Sequence, residues 1–157
     1  MNKTFHTHYK KNISFFDRWA KNYDDGRIAK WFQYTQELTI GLLDLEPSSK
    51  VLDVGCGTGH AVIKLAGILS HGKACGIDIS SEMIEQARAK IPDILKEKAE
   101  FLQASSDNIP YPNDEFDYVL CTNSFHHYPD PIRSLEEIQR VLKPGGQMVI
   151  FENAPDL

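Results

Sequence analysis

The decapeptide VLDVGCGTGH, residues 51–60, constrains the fold of this chain more than any other stretch. An apolar run breaks into three alternating glycines, Gly55, Gly57 and Gly59, and a carboxylate, Asp53, stands two residues before the first of them. The run before the glycines suits a strand, and AVIKLAGIL after them suits a helix. Glycines at such a turn permit positive φ and let a ligand approach the backbone closely. The helix that follows offers free N–H groups and positive potential at its start. A nucleotide-like ligand fits that description, and the spacing narrows it. In the dinucleotide fingerprint G-x-G-x-x-G the third glycine would fall on position 60, which is His60, and the phosphate-loop pattern G-x-x-x-x-G-K-[ST] is absent. Asp53 repels a pyrophosphate and favours a ligand that carries positive charge.

The rest of the chain supplies the frame. Phe15, Phe16, Trp19 and Tyr23 recur at helical spacing, with Asp24-Asp25-Gly26 as a stop, and a second helical pattern runs from Ile28 to Leu45. From residue 50 short β-type runs alternate with helices. Strands are expected at Lys50–Val54, Ala74–Ile77, Ala99–Gln103, Phe116–Thr122 and Gln147–Glu152, and helices at His60–Ser70, Ser81–Lys90 and Pro131–Leu142. Ser80 or Ser81 caps the second of these helices, and Gly145-Gly146 follow the last. Short apolar strands separated by helices predict a doubly wound α/β domain, a mostly parallel sheet with helices on both faces. Residues 1–49 would form an N-terminal helical cap on a core of residues 50–157, all within one domain. Ligands of such sheets bind beyond the carboxyl ends of the strands.

Composition excludes some alternatives. A net charge of −5 argues against a bulk nucleic-acid binder. Cys56, Cys75 and Cys121 are odd in number, lack metal-ligand spacing and sit in apolar runs, so they read as buried thiols of a reducing compartment, and no metal site is expected. His6 and His8 lie in a polar start that is expected to fray and has no apolar signal segment, and no apolar run reaches the about 20 residues of a membrane span. A cytoplasmic location is expected.

A ligand with positive charge and no phosphate is S-adenosylmethionine, with its ammonium and sulfonium. Asp78, in GIDIS, ends the next strand 25 residues after Asp53 and can accept hydrogen bonds from both ribose hydroxyls, a device that nicotinamide sites share. Ile79 and Met83 are placed to flank the adenine. Four ordered blocks, VLDVGCGTGH, GIDIS, IPYPNDEFDYVLCTNSFHHYPDP and LKPGGQMVI, resemble the class I S-adenosylmethionine-dependent methyltransferases, in the broad group that includes the ubiquinone and menaquinone biosynthesis enzymes. The likeness runs from about Phe15 to Glu152 and implies a Rossmann-like fold.

The resemblance also implies roles. Asp53, Gly55, Cys56 and Gly57 would line the methionine end of the cofactor, Asp78 would hold the ribose, and Asn123 would present backbone near the ammonium. Ser105 and Ser106 occupy the loop that reads the adenine edge. The family usually has an aspartate where this chain has Ser105, and Asp107 could substitute. Tyr23 matches an aromatic that covers the methionine moiety. In NSFHHYPDP, His126 and His127 stand at the acceptor side, where either could orient an acceptor or take its proton; the alternative is a structural pair that shapes the loop. The family's sheet usually gains an antiparallel strand pair after the strand ending near Phe151, and this sequence stops at Leu157. The sequence would then be a piece of a longer enzyme, a homodimer paired through its exposed last strand, or a short cofactor-binding protein. The expected function is methyl transfer to a small-molecule acceptor. A catalytically deficient binding module or partner subunit is the alternative. A nicotinamide-dependent oxidoreductase is disfavoured by Asp53 and the glycine spacing.

Overall fold

The computed structural model describes residues 13–152, so His6 and His8 lie outside the described residues. Residues 13–20 are helical (α1), and tight turns lead to α2, Gly26–Ile40. The helical pattern was expected to run to Leu45, but α2 ends at Gly41, whose N–H closes back on the Glu37 carbonyl before the chain turns off. Five strands follow: β1 Lys50–Val54, β2 Lys73–Asp78, β3 Ala99–Gln103, β4 Phe116–Thr122 and β5 Leu142–Phe151. Between them run α3 His60–Ile68, α4 Ser81–Lys90 and α5 Pro131–Val141, with short 3-10 turns at Asp93–Leu95 and Phe125–His127. Ser80, not Ser81, caps α4: its Oγ accepts from Met83 N at 3.2 Å.

All five strands are parallel, in the order β3-β2-β1-β4-β5. The chain builds outward from β1 through β2 to β3, then crosses back to lay β4 against the other side of β1. The order therefore reverses between β1 and β4, which opens a crevice at their carboxyl ends. Alternation along β1 splits the core. Val51 faces one way with Leu120, Ala74 and Phe101, against Val62 and Leu65 of α3 and Ile84 of α4. Leu52 and Val54 face the other way with Ile77 and Val119, against Ile138 and Val141 of α5. Cys56, Cys75 and Cys121 are free and buried.

The last strand departs from expectation. A helix to Leu142 and a strand from Gln147 were expected, whereas β5 begins at Leu142, paired with Phe116, and resumes with Gln147 opposite Tyr118 after an irregularity. Gly145 at φ 82° absorbs the extra residues. Local pattern could not reveal this, because the pairing is made with a strand more than 20 residues away.

A buried ion cluster fixes the loop between β3 and β4. Glu137 of α5, 3% exposed, accepts from Arg133, Arg140 and the Ile109 N–H, and Arg140 donates onward to the Ile109 and Tyr111 carbonyls. The carboxylate and the middle of the loop are satisfied together, as a buried charge requires.

Gly59 caps α3 at φ 83°, and a Cβ there would stand 2.7 Å from the Phe101 ring and 2.9 Å from Ala87 Cβ. Gly59→Ala should lose at least about 2 kcal/mol, from the left-handed strain and the overlap together. Gly67→Ala, in the last turn of α3 with nothing near, should gain roughly 0.5 kcal/mol. Urea melts of both variants measure the contrast, and equal effects would contradict this packing.

Candidate cofactor cleft

The glycine loop hangs from the end of β2. The N–H groups of Gly55 and Cys56 both donate to the Ile77 carbonyl, at 2.8 and 3.0 Å. The N–H of Gly57 donates to Asp78 Oδ2 at 2.9 Å, and Asp78 Oδ1 accepts from Ser80 N at 2.9 Å. Asp78 is thus held by backbone donors on both oxygens. Burial pushes its carboxyl up, and those N–H groups push it back down.

Beside the loop, at the carboxyl ends of β1, β2 and β4, lies a cleft of about 350 Å³. Gly55, Gly57, Asp78, Ile79 and Met83 form one wall, Ser105 and Ser106 a second, and Asn123, His126 and His127 a third, with Tyr23 over the loop. The structure therefore brings together most of the residues singled out in the sequence. Cys56 is a correction: it is 1% exposed and does not line the cleft, because its Sγ packs at the position a Cβ of Gly76 would take. Asp107 does not line it either. Ser106 reaches it but spends its hydroxyl on Ser134 of α5, at 2.8 Å. Ser105 Oγ is buried with no partner.

Asp53 lies beneath the cleft rather than in its wall. It is 1% exposed, on the Val51 face of β1 between Gly76 of β2 and Leu120 of β4, and its Oδ2 has no hydrogen-bond partner. Burial first, and the nearby Asp78 second, push its carboxyl up to about 7. Asn123 turns the chain out of β4 at φ 53°, a conformation that asparagine tolerates. Its Nδ2 donates to Thr35 Oγ1 at 2.8 Å, and its Oδ1 is buried and unpartnered.

Several participants escaped the sequence reading. The Oγ of Ser124 and the hydroxyl of Tyr128 both donate to the Val54 carbonyl, at 2.8 and 2.9 Å, pinning the post-β4 loop to the end of β1. Glu152 binds the same loop. The only signal for them was position just past a strand end. The N-terminal segment is latched over the site by Asp17, which accepts from Ser80 Oγ, and by Asp24, which accepts from Thr58 Oγ1 and pairs with Lys90. Its Phe16 meets the His127 ring edge-on at 5.0 Å, and Tyr23 stacks on Phe32 of α2. Burial, then His126, lowers His127 below the usual imidazole range.

Asp53 carries a stability signature. Its folded carboxyl titrates above its unfolded value near 3.8, so the folded state holds the extra proton between those limits, and stability falls as pH rises from about 4 to 7. Asp53→Asn should therefore be more stable than the wild type at pH 8, on the order of a few kcal/mol, and nearly equal to it at pH 4. Urea melts of the ligand-free proteins at both pH values test this. A less stable variant at pH 8 would contradict the isolated buried carboxylate.

Comparison with known proteins agrees with this geometry. The profile of a methyltransferase-domain family matches residues 52–150. Demethylmenaquinone methyltransferase of Bacillus mycoides (strain KBAB4) is 34% identical over 117 residues, 74% of this chain and 49% of that protein. The chain spans about half the length of the curated relatives it matches. Among solved structures, an S-adenosylmethionine-dependent methyltransferase of Aquifex aeolicus superposes with a TM-score of 0.74 at 28% identity, over 85% of this chain and 71% of that one. A chain of the complex formed by the Haloferax volcanii Trm112 methyltransferase activator superposes with a TM-score of 0.77 at 32% identity, over 86% and 58%. The glycine loop hung from β2, the acid at the end of each of the first two strands and the matching family profile lead to one conclusion: the chain belongs to the class I S-adenosylmethionine-dependent methyltransferases.

Proposed function

We propose that this chain binds S-adenosylmethionine in the cleft and serves methyl transfer to a small-molecule acceptor that enters on the His126–His127 side. The observation that carries this reading is the charge of the cleft. Two carboxylates, Asp78 in the wall and Asp53 beneath it, face a site whose described lining contains no lysine or arginine. That suits a cation and repels a pyrophosphate.

The residues present fit the cofactor. Asp53 Oδ2 is an orphaned buried acceptor, costly unless a donor arrives, and an ammonium supplies one. Asp78 retains acceptor capacity for ribose hydroxyls. Ile79 and Met83 offer apolar faces to a base, and Ser105 Oγ and Asn123 Oδ1 await partners. Gly55 and Gly57 let the ligand lie against the backbone, and Tyr23 covers it. When bound, the cofactor's sulfonium supplies a methyl group already activated for displacement. The protein aligns the acceptor, excludes water and removes a proton where the acceptor carries one. Phe16, Tyr128 and Pro129 give the acceptor side an apolar, ring-rich wall. Such a wall suits a small-molecule acceptor that carries an apolar ring.

Calorimetric titration with S-adenosylhomocysteine, with NADH as control, tests the reading. Micromolar binding of the former and none of the latter is expected. Asp78→Ala should weaken binding at least tenfold, about 1.4 kcal/mol, while His127→Ala leaves it largely intact. Unchanged affinity in a folded Asp78→Ala protein would sink the assignment.

Because Asp53 must be ionised to pair with the ammonium, wild-type affinity should rise as pH increases through about 7. Asp53→Asn should bind at least tenfold more weakly at pH 8, with little pH dependence. An equal pH response in both proteins would remove Asp53 from the cofactor's charge recognition.

A further inference from the structure

Glu152 follows directly on β5 and engages the cleft's third wall with both oxygens. Its Oε1 accepts from the N–H groups of Ser124 and Phe125, at 3.1 and 2.6 Å. Its Oε2 lies 2.6 Å from His126 Nδ1. An ionised carboxylate only accepts, so Nδ1 carries the proton in this pair, and the neutral form of the ring opposite Glu152 is the Nδ1–H tautomer. Nε2 then carries the lone pair, on a ring that lines the cleft. The backbone bonds hold the carboxylate still, and the ring is pressed against His127 at 3.8 Å between centroids. A base oriented by a third group in this way is the arrangement that proton abstraction needs.

We propose that Glu152 is a positioning residue that locks His126 in its Nδ1–H tautomer, so that Nε2 takes a proton from the methyl acceptor. The acceptor is then a nucleophile that arrives protonated, an acidic hydroxyl such as a phenol, rather than a free amine or a thiolate. The proton of its O–H bond passes to Nε2. The electron pair left on oxygen forms the bond to the methyl group as the bond from that methyl to sulfur breaks, its pair remaining on sulfur. This rests on the cofactor reading above, and its test separates the two.

The test is long-range proton–nitrogen correlation NMR of the histidine-labelled chain at pH 8, with His126 assigned through His126→Asn. The wild type should show His126 protonated on Nδ1. Glu152→Gln keeps an oxygen for the two backbone N–H groups but sets an amide donor opposite Nδ1, so the tautomer should invert to Nε2–H. S-adenosylhomocysteine affinity should stay within about threefold, because the retained oxygen still holds the Ser124 and Phe125 N–H groups. A wild-type proton on Nε2, or the same tautomer in both proteins, would overturn the positioning role whether or not the cofactor binds. Failure of S-adenosylhomocysteine to bind the wild type would count against the cofactor reading and leave the tautomer result standing.

A second arm follows transfer of labelled methyl from S-adenosylmethionine to simple phenols, amines and thiols. Transfer to phenols is expected, with kcat at least tenfold lower in Glu152→Gln and KM little changed. Transfer confined to amines or thiols, or undiminished in the variant, would overturn the base.

Discussion

The structure of the site depends on how the glycine loop is tied to the end of β2. Three consecutive N–H groups, from Gly55, Cys56 and Gly57, point at one strand terminus, two at the Ile77 carbonyl and one at the Asp78 carboxylate. Backbone donors that leave a strand with no partner are costly when buried, and here the next strand supplies two acceptors that satisfy all three donors. That tie sets the start of α3, and α3 in turn covers the sheet face on which Asp53 sits. Asp78 therefore shapes the loop as well as the cleft, which is why the second strand must end in a carboxylate at that position.

Asp53 shows the reverse priority. In the ligand-free state it gives nothing to stability. It is buried, one oxygen is unpartnered, and its neighbour is another acid. A group so placed is open to a ligand's donor, and in the proposed reading its unmet pairing is what favours a cation. The orphaned Ser105 and Asn123 oxygens around the same cavity belong to that pattern. The satisfied groups serve as frame: Ser124 and Tyr128 on the Val54 carbonyl, and Glu137 under the loop after β3.

The walls of the cleft come from three distant parts of the chain. Tyr23 and Phe16 close it from the N-terminal segment through the Asp17–Ser80 and Asp24–Thr58 contacts, while Glu152 shapes its far side from the end of the last strand. The proposed cofactor and acceptor sides thus share one cavity, lined by Asp78 and by the paired imidazoles of His126 and His127.

The sequence by itself determined the alternation of strands and helices, the loop in which Gly55 and Gly57 stand, and the two acids near the carboxyl ends of β1 and β2. Each is legible because its cause is local: side-chain periodicity, glycine's access to positive φ, and a fixed offset from a strand end. Only the tertiary structure decided that Cys56 turns into the core against Gly76, that β5 starts early and breaks register around Gly145, that Asp53 lies beneath the cleft, and that Glu152 meets His126. These outcomes follow from contacts between residues distant in sequence, where close packing and the pairing of buried polar groups choose among conformations that the local sequence leaves equal.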